Sequence, residues 1–164
     1  MPVTGDRRTF VIGLAGALVT ATRRGHGRSA ASVYDLRVDP LRLQHSLEKL
    51  STFGRPVGGS FADGVSRVAY SDADVAGRSY VLGLLRAAGL EPKIDAAGNI
   101  QALRAGSVPS LKPIAFGSHI DSVPNGGNFD GDLGSLAAIE VVQTLQDHAI
   151  RTRHPLQEIG RAHV

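Results

Sequence analysis

The short apolar run Pro113-Ile114-Ala115-Phe116-Gly117-Ser118 is followed by a Gly- and Asn-rich loop over 120–131. The strongest helical pattern in the chain comes next, from Asp132 to about His148. Leu133, Leu136, Ala137, Glu140, Val141, Thr144 and Leu145 fall at i, i+3, i+4 and i+7 spacing across it. His154-Pro155-Leu156-Gln157 then looks like the start of a further strand. Strand, long helix, strand is the arrangement that most narrows the fold. Two strands joined by a helix of that length pair in parallel, because a tight turn cannot connect them. The pattern predicts an α/β layer fold with a mixed, partly parallel sheet flanked by helices, the apolar run being a buried strand.

The segments upstream fit the same class. Asp39-Pro40 is a helix start, with Asp as N-cap and Pro in the first turn, and Leu41, Leu43, Leu47 and Leu50 continue a helical stripe to about residue 52. A polar, Gly-rich stretch from Gly54 to Gly64 reads as a loop. Ser71-Asp72-Ala73-Asp74 opens a second helix with acids in its first turn, where the helix dipole favours them. Gly89 stands where that helix should end, and Pro92 prevents its continuation. Glu91–Asp95 and Asn99–Leu103 read as two short strands around the turn Ala96-Ala97-Gly98. At 164 residues the chain is at most one domain of ordinary size.

Composition removes several kinds of chemistry. With no Cys there is no disulfide framework, thiol nucleophile or Cys-ligated zinc. Five Phe, three Tyr and no Trp give little on which single-stranded bases could stack. Arg7, Arg8, Arg23, Arg24 and Arg28 against the single Asp6 place more than the whole formal charge of +3 in the first 30 residues. The body is therefore close to neutral and offers no basic face for nucleic acid. No G-x-S-x-G elbow, P-loop or G-x-G-x-x-G fingerprint occurs, so serine-hydrolase and nucleotide-binding readings have no support.

The leading residues read as an address. Asp6-Arg7-Arg8-Thr9-Phe10-Val11-Ile12 opens an uncharged run from Phe10 to Ala21, too short for a stable membrane span, which needs roughly 20 apolar residues. Two adjacent Arg before x-Phe resemble a bacterial twin-arginine export signal, and Ser29-Ala30-Ala31 suits cleavage before Ser32. Residues 1–31 are thus expected to export the protein to the periplasm or beyond; without that signal it would be cytoplasmic.

The candidate chemistry lies in Gly117-Ser118-His119-Ile120-Asp121 and, past Asn125-Gly126-Gly127, in Asp130-Gly131-Asp132. The stretch sits between the carboxyl end of a strand and a helix, where open α/β sheets bind ligands. His119 and Asp121 are two residues apart and project to one side of an extended backbone. An imidazole that binds a divalent ion through one nitrogen needs an acceptor for its other N–H, and a nearby carboxylate fixes ring and tautomer. The glycines at 126 and 127 are expected to fold the loop back so that Asp130 reaches the ion His119 holds. The bland alternatives are a solvated His-x-Asp pair and helix-start roles for Asp130 and Asp132. His45 and His148 lie on helical segments and His154 precedes Pro155, so all three read as structural or surface residues.

The string GSHIDSVPNGGNFDGDLGSLAAIEVVQTL resembles the metal-binding segment of the amidohydrolase family of N-carbamoyl-L-amino acid hydrolases, β-ureidopropionases and allantoate amidohydrolases, relatives of the glutamate carboxypeptidase-like metallopeptidases. The resemblance extends through Tyr70-Ser71-Asp72-Ala73-Asp74, Ala87-Ala88-Gly89-Leu90, Asp95-Ala96-Ala97-Gly98-Asn99 and Thr152-Arg153-His154-Pro155-Leu156, covering roughly 35–157. Ile120, Ser122 and Asp132 depart from the family's commoner Leu, Thr and Ala. The resemblance implies that 32–157 is the N-terminal part of a metallopeptidase-like catalytic domain. It implies two divalent metal ions per site (Zn, or Mn, Co or Ni), His119 as a terminal metal ligand, Asp130 as the carboxylate bridging both ions, and Asp121 as a catalytic residue positioning the site. It implies a small-molecule N-carbamoyl or ureido substrate and, through an inserted lid domain, a homodimer. The family's general base is a Glu of a Glu-Glu pair beyond the strand that His154-Pro155-Leu156 begins; the lone Glu158 is not assigned that role.

The last seven residues, Glu158 to Val164, back-translate as GAG ATC GGA AGA GCA CAC GTC, which resembles a common short-read sequencing adapter. Native sequence is therefore expected to stop near Gln157, before the strand is complete. Residues 1–157 alone are expected to lack hydrolase activity and to leave an apolar face of the helices uncovered.

Overall fold

The computed structural model describes residues 35–161. Residues 1–34, which include the segment expected to be an export signal, and 162–164, the end of the tail, lie outside the described residues. Helix α1 spans Pro40–Leu50, α2 Asp72–Ala87 and α3 Asp132–Asp147; strands β1 Lys93–Ile94, β2 Ile100–Arg104, β3 Ile114–His119 and β4 Leu156–Arg161 complete the set.

The helices start and stop where local chemistry requires. The Asp39 carboxylate accepts the backbone N–H groups of Leu41 and Arg42, and the Ser71 hydroxyl accepts that of Asp74. Gly89 takes the left-handed conformation that ends α2. β1 and β2 form the anticipated hairpin, with the Asp95 carboxylate accepting the N–H groups of Ala97 and Asn99 inside the turn.

The sheet runs β1-β2-β4-β3, antiparallel except for the β3–β4 pair. α3 crosses from β3 to β4, so the strand–helix–strand pattern forms the parallel unit it predicted. The core is one cluster in which Leu47 and Leu50 of α1, Val81 and Leu85 of α2, and Leu136, Ile139 and Val142 of α3 meet Ile100 and Ala102 of β2. Glu140 breaks the apolar stripe of α3 for a reason. Its carboxylate receives the Arg42 guanidinium at 2.6 Å and the backbone N–H of Asp39 at 2.9 Å, tying α3 to the start of α1.

Two expectations need correction. β3 is not buried: it is an edge strand with Ile114 53% exposed, because the run's apolar composition could not say that only β4 would pair with it. The sheet is mixed and partly parallel with helices packed against it, as expected. Apolar surface is left uncovered on the helices, at Leu41, Val75, Leu133 and Val141, as expected, and on the sheet as well, at Ile94, Leu103 and Ile114. Finally, the strand foreseen only as a beginning runs over Leu156–Arg161. Residues 158–161 continue β4 through the full β2 and β3 registers. A polar backbone segment pairs as well as an apolar one; side-chain pattern alone did not reveal that. The misfit is one side chain. Ala102 and Phe116 stand opposite Glu158 in the neighbouring strands, and Glu158 is 1% exposed. Neither of its carboxylate oxygens has a hydrogen-bond partner among the described residues, and burial pushes its pKa up to about 8.

Candidate metal centre

β3 delivers His119 to the carboxyl end of the parallel pair, where the chain leaves the sheet. Its ring is fixed from two sides. Nδ1 lies 3.1 Å from the backbone oxygen of Asp121 and 3.2 Å from Asp121 Oδ1. Both neighbours accept, so Nδ1 is the donor, and in the neutral ring the lone pair lies on Nε2. Nε2 stands 3.8 Å from Asp130 Oδ1, beyond hydrogen-bond range and on the side from which an ion would be held. The Asp130 side chain is 80% exposed, whereas Asp121 is buried.

On the other side of the ring is Gly131, at φ +72°, where a Cβ would collide with the imidazole. This glycine is required both by its backbone and by the close approach of His119. The expected hinge is elsewhere than proposed. Gly126 and Gly127 are not in the left-handed region; Asn125 and Gly131 are, at φ +55° and +72°. Gly126 instead forms a two-way backbone bridge with Val65. Asn can hold the left-handed conformation by local hydrogen bonding, so the turn is made one residue before the glycine pair.

Neither acid caps α3. Its N-cap is Gly131, with no side-chain cap. Asp132 turns inward, fully buried, and its Oδ2 pairs with the guanidinium of Arg67, which is itself 0% exposed. Burial raises the Asp132 carboxyl to about 6 against the opposing pull of Arg67. Asp74, favoured in sequence as a first-turn acid, is also buried. It accepts the backbone N–H of Tyr70 at 2.9 Å, and burial raises its pKa. Arg67 was invisible in the sequence: one arginine in a loop with no periodicity around it. The only trace was Gly77 inside a helix, a residue explained below.

His119, Asp121 and Asp130 therefore converge, while Asp132 is engaged elsewhere. As a donor set, one imidazole lone pair with an accessible carboxylate suits a divalent ion of the zinc or manganese kind. Asp121 Oδ1 is buried with no neighbour but His119 Nδ1, at 3.2 Å, among the described residues, which suits a carboxylate that orients the ring from behind. The two candidate ligands fit as part of a larger set: no group of three His, Asp or Glu that could hold a metal occurs among the described residues. Two further imidazoles are taken up structurally, His148 Nδ1 lying 2.9 Å from the Thr144 carbonyl and His154 Nδ1 2.9 Å from that of Lys112.

No family profile matches the chain. Individual proteins do. The chain is 39% identical over 119 residues to an N-carbamoyl-L-amino acid amidohydrolase of Geobacillus stearothermophilus, covering 73% of this chain and 28% of that one. It is 40% identical over 124 residues to a ureidoglycolate hydrolase of Arabidopsis thaliana, covering 76% and 25%. Among solved structures, a hydantoinase/carbamoylase family amidase from Burkholderia ambifaria superposes with a TM-score of 0.71 at 40% identity, over 76% of this chain and 30% of that one. The chain thus spans under a third of the length of the relatives it matches. Over that shared segment, in sequence and in fold, the chain belongs to the hydantoinase/carbamoylase family of amidohydrolases.

Proposed function

We propose that the segment serves a metal-dependent hydrolase of linear C–N bonds acting on a ureido group, N-carbamoyl-L-amino acids first among the candidates. The observation that carries this is the His119 ring, with its Nδ1 proton committed to Asp121 and its Nε2 lone pair turned toward Asp130. In this reading His119 is a terminal ligand and Asp130 bridges two ions, zinc or one of manganese, cobalt and nickel. Bound ions would polarise the ureido carbonyl and supply an activated water. Asp121 holds the imidazole in its ligating tautomer and keeps negative charge behind it. The exposed Asp130 leaves the approach to the site open to a small substrate.

Two ligands do not close a zinc site, so the 164-residue chain by itself is expected to turn nothing over. An allantoate or ureidoglycolate substrate is the second reading, supported by the similar identity to the plant relative. The test is a panel of N-carbamoyl amino acids, allantoate, ureidoglycolate and dipeptides on the complete gene product with added Mn²⁺. Ureido substrates should be hydrolysed, and both His119→Ala and Asp130→Ala should abolish turnover and lower bound metal. Cleavage of dipeptides alone, or unchanged metal content in both variants, would refute the reading. We also propose dimerisation outside the shared segment, and export through Arg7-Arg8; retention of an Arg7→Lys/Arg8→Lys precursor in the cytoplasm is the check on export. No helix among the described residues is long and apolar enough to cross a membrane.

A further inference from the structure

We propose that Arg67 is the positioning residue of this site, its guanidinium holding both ends of the 119–132 loop at the spacing that lets His119 and Asp130 share an ion. The proposal rests on the metal reading above.

A fully buried guanidinium is tolerated only when its donors are satisfied. Arg67 satisfies them with pieces of three elements. Nε donates to the Ile120 carbonyl at 2.5 Å, Nη1 to the carbonyls of Leu50 and Phe53 at 3.0 and 2.9 Å, and Nη2 to Asp132 Oδ2. Ile120 stands between His119 and Asp121, and Asp132 follows Asp130 by two residues. One rigid fork therefore sets the distance between the strand end that carries the imidazole and the helix start that follows the bridging carboxylate. The backbone of Arg67 adds a second hold. Its N–H donates to Ser122 Oγ at 2.9 Å, and its carbonyl accepts the Ser122 N–H at 2.8 Å. The α1 end, through Leu50 and Phe53, ties the fork to the core. The fold makes room for this side chain: a Cβ at Gly77, inside α2, would lie 2.9 Å from Arg67 Cδ. The glycine that weakens the helix is the one that admits the arginine.

Arg67→Ala would strand Asp132 as a buried unpaired charge and unfold the chain without informing on position. Two other variants avoid this. Arg67→Met/Asp132→Leu removes the whole pair and leaves apolar groups of similar size. Arg67→Lys keeps Asp132 paired, but one ammonium cannot span the Ile120, Leu50 and Phe53 carbonyls together.

The measurements use the 164-residue chain. Long-range ¹H–¹⁵N NMR reads the His119 tautomer, Mn²⁺ titration reads the broadening of His119 and Asp130 resonances, and urea unfolding reads global stability. In the wild-type chain His119 should be the Nδ1–H tautomer, with both residues broadened. In whichever variant keeps its unfolding midpoint near wild type, His119 should become a tautomer mixture and the Mn²⁺ midpoint should rise at least tenfold. An unchanged tautomer and Mn²⁺ midpoint in a stably folded variant overturns the positioning role while leaving the metal reading intact. Loss of urea stability in both variants, in proportion to the loss of Mn²⁺ response and with the His119 tautomer unchanged, overturns it as well, since that marks a purely structural arginine. The metal reading itself is overturned by absence of bound metal in the complete gene product, because this segment supplies two ligands of a larger set.

Discussion

Glu158→Leu should make the chain more stable, by an amount that grows with pH. In the fold Glu158 is sealed between Ala102 and Phe116 with no partner for either oxygen among the described residues, and burial lifts its pKa from 4.5 to about 8. A carboxyl whose folded pKa is raised holds its proton more tightly folded than unfolded, so stability falls as pH rises between the two values. Below 4.5 both states are protonated and there is no penalty. Above it each pH unit costs about 1.4 kcal/mol until the folded pKa is passed. The penalty is below about 1 kcal/mol at pH 5 and grows to about 3 kcal/mol at pH 7 and about 4 kcal/mol at pH 8. Against a typical domain stability of about 5–15 kcal/mol, that is a large share. Urea unfolding of the wild-type chain and of Glu158→Leu from pH 5 to 8 measures it. The gap between the two should widen by about 2–3 kcal/mol from pH 5 to pH 7. A gap independent of pH would show that the carboxylate finds water or a partner, and the argument from its burial would fail.

Two further perturbations probe different links. Gly131→Ala forces a Cβ into the His119 ring at a left-handed backbone position; it should cost about 1–3 kcal/mol in thermal unfolding and displace the imidazole, read as a changed His119 NMR shift. Glu140→Ala removes the carboxylate that Arg42 and the Asp39 N–H share, so it should destabilise the chain by about 2–3 kcal/mol, with Glu140→Gln recovering part of the loss. A melting temperature unchanged in Glu140→Ala would show that α1 and α3 are held by Leu47, Leu50, Ile139 and their neighbours alone.

The sequence by itself determined the elements, because their signals are local. An Asp before Pro40, a Ser before Asp72, an Asp95 turn and a 3.6-residue stripe along α3 act within a few residues of chain, and each formed where its chemistry required. It also determined that His119 and Asp121 would meet, since two residues of backbone suffice to bring ring and acceptor together. Tertiary structure alone decided what depends on partners 50 to 100 residues away. Arg67 meets Ile120 and Asp132, and Arg42 meets Glu140, through the packing of the helices and the loop after β3; closer in sequence, β3 is placed at an edge by its pairing with β4. Glu158 shows the reason most sharply. A polar residue in a polar tail reads as solvated, yet strand pairing is chosen by the backbone and by its neighbours' side chains, and the alternation of the strand then carries the carboxylate inward.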